Sequence, residues 1–146
     1  MESIVRLENV VKMTDDGRRV IGGVSFSVME QEYVTIHGTP GSGKTTLARM
    51  IVGLDKPSAG QIHVLGRPVH EMKSDVAAAF RNQNIGILPR NPAFIDNLTL
   101  YYNLAMLLVI LGQKPSKWRV KVQEQLKEFG LLCAADAHPP QLTPLE

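Results

Sequence analysis

The stretch Gly38 to Thr46, GTPGSGKTT, limits what this chain can fold into more than any other. It fits G-x-x-x-x-G-K-[ST], with Gly38, Gly43, Lys44 and Thr45 in the fixed places. Glycines at this spacing let the backbone curl until successive N–H groups point into one concavity, and a helix that follows aims its positive end there too. A lysine in this position reaches the β- and γ-phosphates of a nucleotide, and the adjacent hydroxyl ligates Mg²⁺. Gly38, Gly41, Ser42, Gly43, Lys44, Thr45 and Thr46 are therefore the candidate nucleotide-binding residues, with Thr45 the candidate metal ligand. The flanks agree with such a loop. Tyr33 to His37 reads as a strand, and Leu47, Met50, Ile51 and Leu54 recur at the spacing of a helix with one buried face. Pro40 lacks an N–H and removes one donor, which leaves the amides of Gly41 to Thr46.

A loop of this kind needs a packed domain to hold it. The chain has 146 residues, 44% of them apolar and 21% charged, enough for one ordinary globular domain. Its formal charge of +2 is too small to argue for a nucleic-acid partner. Cys133 is the only cysteine, which excludes an internal disulfide and suits a reducing compartment. The opening MESIVRLENV lacks the basic segment and apolar run of a secretory signal. The longest uncharged run, Asn97 to Gln113, contains an apolar core from Leu104 to Leu111. That core falls short of the ~20 residues a bilayer requires and reads as a buried helix. His37, His63, His70 and His138 show no metal-ligand spacing, so no structural metal is expected.

In chain order, Ile4 to Val10 predicts a strand with Val5 and Leu7 on one face. Asp15-Asp16-Gly17 marks a turn, and Val24, Phe26 and Val28 alternate with Ser25 and Ser27 in a second strand. The two form a small antiparallel layer ahead of the loop. After the loop helix come a turn-rich connection from Leu54 to Gly60 and a strand from Gln61 to Leu65. Ser74 is placed to cap a helix running to about Arg81, and Ile85 to Leu88 is a buried-strand candidate stopped by Pro89. Thr99 caps a helix from Leu100 to Leu111, with Gly112 just past its end. A last helix starts after Pro115-Ser116 and ends before Gly130. Its stripe is Trp118, Val122, Leu126 and Phe129, with Lys121, Glu124, Lys127 and Glu128 facing water. Residues 1–96 are expected to form the loop-bearing core, 97–136 a helical subdomain and 137–146 a loop-like tail.

Taken in this order the whole chain resembles the first part of an ABC transporter ATPase subunit. It is nearest to the lipoprotein-release and macrolide-export branch. The resemblance rests chiefly on GTPGSGKTTLARMIVGLDKPSAGQIHVLG, supported by VRLENVVK, IGIL, NLTLYYNL and HPPQLT. It implies an α/β fold of P-loop NTPase type, an incomplete ABC-type nucleotide-binding domain with a small antiparallel β layer and a helical subdomain. It also implies ATP and Mg²⁺ as ligands, and a cytoplasmic chain peripheral on the inner face of the membrane. The partners implied are a transmembrane transporter subunit and either self-association or a second nucleotide-binding subunit.

Several functional positions of that family are altered. Where members place an aromatic to stack on adenine, this chain has Thr14. Where they place a glutamine that reaches Mg²⁺ and the attacking water, it has Arg90, whose guanidinium pairs with phosphate oxygens but cannot ligate a metal. The signature L-S-G-G-Q falls on Leu142 to Glu146, with Pro144 and Leu145 in place of the glycines. No apolar strand ending in Asp-Glu follows, and no later histidine. The expectation is a chain that binds Mg-ATP and alone hydrolyses it weakly or not at all. Two alternatives stay open: a self-contained small P-loop NTPase or kinase, and a pseudo-ATPase whose Trp118 helix docks a partner. In P-loop folds the missing strand lies beside the one carrying the loop, so the 33–37 strand is expected to expose its main chain.

Overall fold

A computed structural model describes residues 3–89 and 94–142. The chain divides into two compact units, Met1–Ile87 and Leu88–Glu146.

The first unit is built on β1 (Ser3–Met13) and β2 (Arg19–Met29), joined by the turn that Asp15-Asp16-Gly17 predicts. They pair antiparallel, Leu7 opposite Phe26 and Met13 opposite Arg19. β3 (Ala59–Val64) pairs antiparallel with the other edge of β1, Leu7 opposite Ile62, and the two-residue β4 (Arg67–Pro68) follows it. The sheet order is β2-β1-β3-β4. The strand after the loop helix thus returns to the N-terminal layer, a long-range pairing that periodicity alone does not reveal. Gly60 permits the register shift where β3 meets β1: its φ is +86°, and a Cβ there would lie 2.3 Å from the Asn9 carbonyl oxygen.

α1 (Lys44–Ile51) and α2 (Ser74–Asn84) cover the inner face of this sheet. Leu7, Val10, Ile21, Ile62 and Val64 from the strands form one buried cluster with Leu47 and Met50 of α1 and Phe80 of α2. Leu54 lies beyond the end of α1 and is exposed, so the loop helix is one turn shorter than its spacing suggests. Ser74 is the first helical residue of α2 and not its cap, because Lys73 holds the extended conformation at the N-cap. α2 also runs past Arg81, ending where the Asn84 amide donates to the Phe80 carbonyl at 2.8 Å.

Two predicted strands do not form. Tyr33 to His37 and Ile85 to Leu88 are extended in sequence character but carry no strand pairing. Tyr33 is 92% exposed and Leu88 94%. The physical reason is the absence of a ladder partner among the described residues: each segment has strand propensity, but pairing needs a second backbone.

The second unit holds α3 (Leu100–Ile110) and α4 (Pro115–Glu128). Thr99 caps α3, its hydroxyl accepting from the Tyr102 amide, and Gly112 follows in the left-handed conformation. Asn103 fastens the approach to α3, its amide bonding to Ile95, Leu98 and Thr99. Trp118, Val122 and Leu126 pack against Leu100 and Ala105. Phe129, the expected fourth member of that stripe, is the C-cap residue and is exposed, because the chain leaves the helix at Gly130. The tail is not wholly a loop: Pro139–Gln141 forms one 3-10 turn, closed by the His138 amide donating to Gln141 Oε1 at 2.7 Å. No helix among the described residues is long and apolar enough to cross a membrane.

Candidate nucleotide site

Gly43 sets the geometry of the loop. It is the N-cap of α1 with φ 88° and ψ 4°, a left-handed conformation that costs glycine little. A Cβ there would lie 2.7 Å from Ile21 Cδ1 and 2.9 Å from the Val20 carbonyl oxygen. Only glycine lets the loop sit this closely on the start of β2. The Leu47 amide is the one that reaches back to the Gly43 carbonyl, at 2.8 Å. The amides of Lys44, Thr45 and Thr46, in the first turn, have no acceptor of their own within the helix. Among the described residues no side chain caps this end.

The Lys44 ammonium is folded over the loop. Its Nζ donates to the carbonyls of Gly38 and Thr39, each at 2.7 Å, and to Ser42 Oγ at 3.2 Å. One side chain thereby fixes both ends of the glycine stretch. At the far end of α1, Arg49 forms a two-pronged pair with Asp55, at 2.6 and 3.1 Å. That hydrogen bond holds the Asp55 carboxyl below its ordinary pKa. A cation at the C-terminal end also suits the helix dipole.

Two cavities flank the loop. One, of about 320 Å³, is lined by Gly41 to Thr46 together with Thr14, Arg18 and Val20. The other, of about 510 Å³, is apolar, formed by Ile21, Val24 and Phe26 of β2 facing Val34 to Thr39. Of the residues expected at the site, Thr14, Gly41, Ser42, Gly43, Lys44, Thr45 and Thr46 meet around the first cavity. Gly38 lines the second, beside Ser42, Gly43 and Lys44. Arg90, with Asn91, lies outside the described residues, as do Thr143 to Glu146 of the expected signature stretch.

Thr14 is held by its own turn. Its amide donates to the Arg18 carbonyl at 2.9 Å, and its hydroxyl accepts from the Arg18 amide at 3.2 Å. The same hydroxyl contacts the Asp16 carboxylate, and this hydrogen bond keeps the Asp16 carboxyl below its ordinary pKa. Arg18 was not visible as a site residue in the sequence. The signal was the turn at Asp15-Asp16-Gly17, which sets Arg18 across from Thr14, but nothing local tells that this turn faces the loop.

Residues 21–143 match the family described as ABC transporter. The chain belongs to the ABC transporter family. Among solved structures it is similar to the ATP-binding cassette MJ0796 in a dimeric post-hydrolysis state bound to ADP and Pi, at 28% identity and a TM-score of 0.82. That match covers 95% of this chain and 63% of that one. A second dimeric structure of MJ0796, a bacterial ABC transporter cassette, gives 27% identity and a TM-score of 0.83 over 96% of this chain and 63% of that one. The fold of cbiO1 from Clostridium perfringens, part of the ABC transporter complex cbiONQ, matches with a TM-score of 0.82 at 23% identity, over 98% of this chain and 57% of that one. This ABC transporter chain therefore has the fold of an ATP-binding cassette, P-loop NTPase-like and partial. It spans less than two thirds of the length of the cassettes it matches.

Proposed function

We propose that this chain is a nucleotide-binding component of an ABC transporter. In this reading it takes up ATP or ADP with Mg²⁺ at the loop of Gly38 to Thr46, and the 146-residue chain alone turns ATP over weakly or not at all. The observation that carries the reading is the start of α1. The free amides of its first turn lie at the cavity lined by Gly41 to Thr46, and the Lys44 ammonium lies over the same loop, on the Gly38 and Thr39 carbonyls. That donor set suits an anion of phosphate size, and the close seat of Gly43 on β2 fixes it in place.

In this mechanism Lys44 exchanges its contacts with the Gly38 and Thr39 carbonyls for phosphate oxygens. The amides of Gly41 to Thr46 orient the chain of phosphates, and the Thr45 hydroxyl is the side chain that would hold the magnesium. The metal, when bound, would supply positive charge against the phosphate oxygens. Turnover requires in addition a water aligned on the γ-phosphate and a group to take its proton. Among the described residues no Asp or Glu lines either cavity at the loop. Lack of one such positioned group lowers rates by about 10²–10³.

Titration of the wild-type chain and Lys44→Ala with Mg-ATP tests the binding. Removing one charge-assisted contact should weaken it at least about tenfold; equal affinities would place the nucleotide elsewhere. Steady-state phosphate release by the purified chain tests the second part. It should not rise above background. Turnover that vanishes in Lys44→Ala would favour a self-contained NTPase.

The same reading assigns the partners and the place of action. The chain would work on the cytoplasmic face of a membrane, bound to a membrane-embedded transporter subunit. It would pair with a second nucleotide-binding chain or a second copy of itself. Support for pairing comes from the family, from the dimeric cassettes it resembles, and from the unpaired 33–37 segment.

A further inference from the structure

The phosphate loop forms only one wall of the 320 Å³ cavity; Thr14, Arg18 and Val20 form the rest. A nucleotide runs from its phosphates through a ribose to a flat base, so the base must meet groups beyond the loop. Thr14 is poorly suited to it, since its hydroxyl is engaged with the Arg18 main chain and with Asp16. Val20 is turned toward Gly43: its Cγ1 would lie 3.2 Å from a Cβ there. Arg18 differs from both. Its side chain is exposed and makes no hydrogen bond or ion pair among the described residues. Its main chain is fixed, because the Thr14 amide donates to the Arg18 carbonyl, the Arg18 amide donates to the Thr14 hydroxyl, and Met13 pairs with Arg19 directly after it. A guanidinium is planar and delocalised, and it stacks on the π face of a base while keeping its charge.

We propose that Arg18 is the base-recognition residue of this site, its guanidinium plane stacking on the purine of the bound nucleotide. The inference rests on the nucleotide reading above and adds the residue that grips the base. A plane reads the face of a ring and not its edge, so adenine and guanine are held about equally well.

The test is calorimetric titration of wild type, Arg18→Ala, Arg18→Lys, Arg19→Ala and Lys44→Ala with Mg-ATP, Mg-GTP and magnesium tripolyphosphate, which has no base. Arg18→Ala and Arg18→Lys should bind ATP and GTP roughly tenfold more weakly, the size of one base-stacking contact. Both should bind tripolyphosphate within about twofold of wild type. Arg19→Ala should match wild type throughout, and Lys44→Ala should lose affinity for all three ligands. The proposal is overturned if Arg18→Ala binds ATP as wild type does, or if Arg18→Lys keeps full affinity, since charge without the plane would then suffice. It is also overturned if Arg18→Ala loses tripolyphosphate as strongly as ATP, which would make Arg18 a phosphate contact. Wild type that binds tripolyphosphate and ATP equally would remove the base contact while leaving the phosphate site. Wild type that binds neither would remove the nucleotide reading itself, and the Arg18 proposal with it.

Discussion

Two connections meet at α1, and they are held very differently. The one that leaves it, Leu54 to Ser58, is stitched to β1. Lys12 Nζ donates to the Lys56 carbonyl at 2.7 Å, the Ser58 amide to the Val11 carbonyl at 2.8 Å, and the Met13 amide to Ser58 Oγ at 3.0 Å. The one that arrives, Tyr33 to His37, is richer in β-forming residues and has no strand pairing. Val34 and Ile36 are about as exposed as a surface residue, at 43% and 40%, while Leu7 and Ile62 in the paired layer are at 2% and 0%. Strand propensity is thus no guide to which segment is anchored. Hydrogen-bond partners are, and the glycine loop joins an unpaired arm on one side to a well-packed helix on the other.

The sharpest way to break this contrast is amide hydrogen exchange. β1 lies between β2 and β3, so its amides are bonded on one side or the other. The amides of Val34 and Ile36 should exchange at least about a thousandfold faster than those of Leu7 and Val10, a local opening difference of about 4 kcal/mol. Equal protection would mean that a second backbone covers the 33–37 edge. Protection that appears only as the protein concentration rises would identify that backbone as another copy of this chain.

The contrast should also appear in stability. Ile62→Ala removes a fully buried side chain at the centre of the sheet and should destabilise the first unit by about 2–5 kcal/mol in urea unfolding. Ile36→Ala removes a side chain of nearly the same chemistry from the unpaired arm and should cost less than about 1 kcal/mol. Similar losses at the two positions would show that the arm is packed in solution.

What the sequence discloses follows the same division. The caps at Thr99 and Gly112, the buried face of Leu47 and Met50, and the stripe of Trp118, Val122 and Leu126 are local patterns, and each is where spacing puts it. The loop itself is legible because glycine at fixed intervals has few other uses. Pairing is not local. Tyr33 to His37 looks like a core strand because its partner backbone is not a property of those residues. β3 joins β1 through a register shift that only Gly60 hints at. Arg18 is not legible as a site residue for the same reason. Its place at the cavity depends on the close approach of Gly43 to Val20. Trp118 and the α3–α4 pair needed no such knowledge, since two neighbouring helices supply each other's burial.

The smallest expected effect concerns Asp55, at the stitched end of α1. Arg49 donates to both of its carboxylate oxygens, and this hydrogen bond is the main reason its pKa lies below the ordinary 3.8, with the Arg49 and Lys12 charges adding to it. A carboxyl whose folded pKa is depressed stabilises the fold at pH values above its unfolded pKa. That contribution fades as pH falls below 3.8 and is gone once pH passes the folded value. The pair is partly exposed, so its worth is that of a surface salt bridge with good geometry and not of a buried one. Asp55→Asn should therefore lower the Tm near neutral pH by only about 1–4 °C. The gap from wild type should narrow as pH is lowered below 3.8. A gap that stays constant through this range would mean that the packing of the 54–58 connection, and not the ion pair, fixes the end of α1. A gap far larger than a few degrees would mean that the stitched side owes its order to this one pair, and the contrast between the two flanks of the loop would then rest on electrostatics and not on main-chain hydrogen bonds.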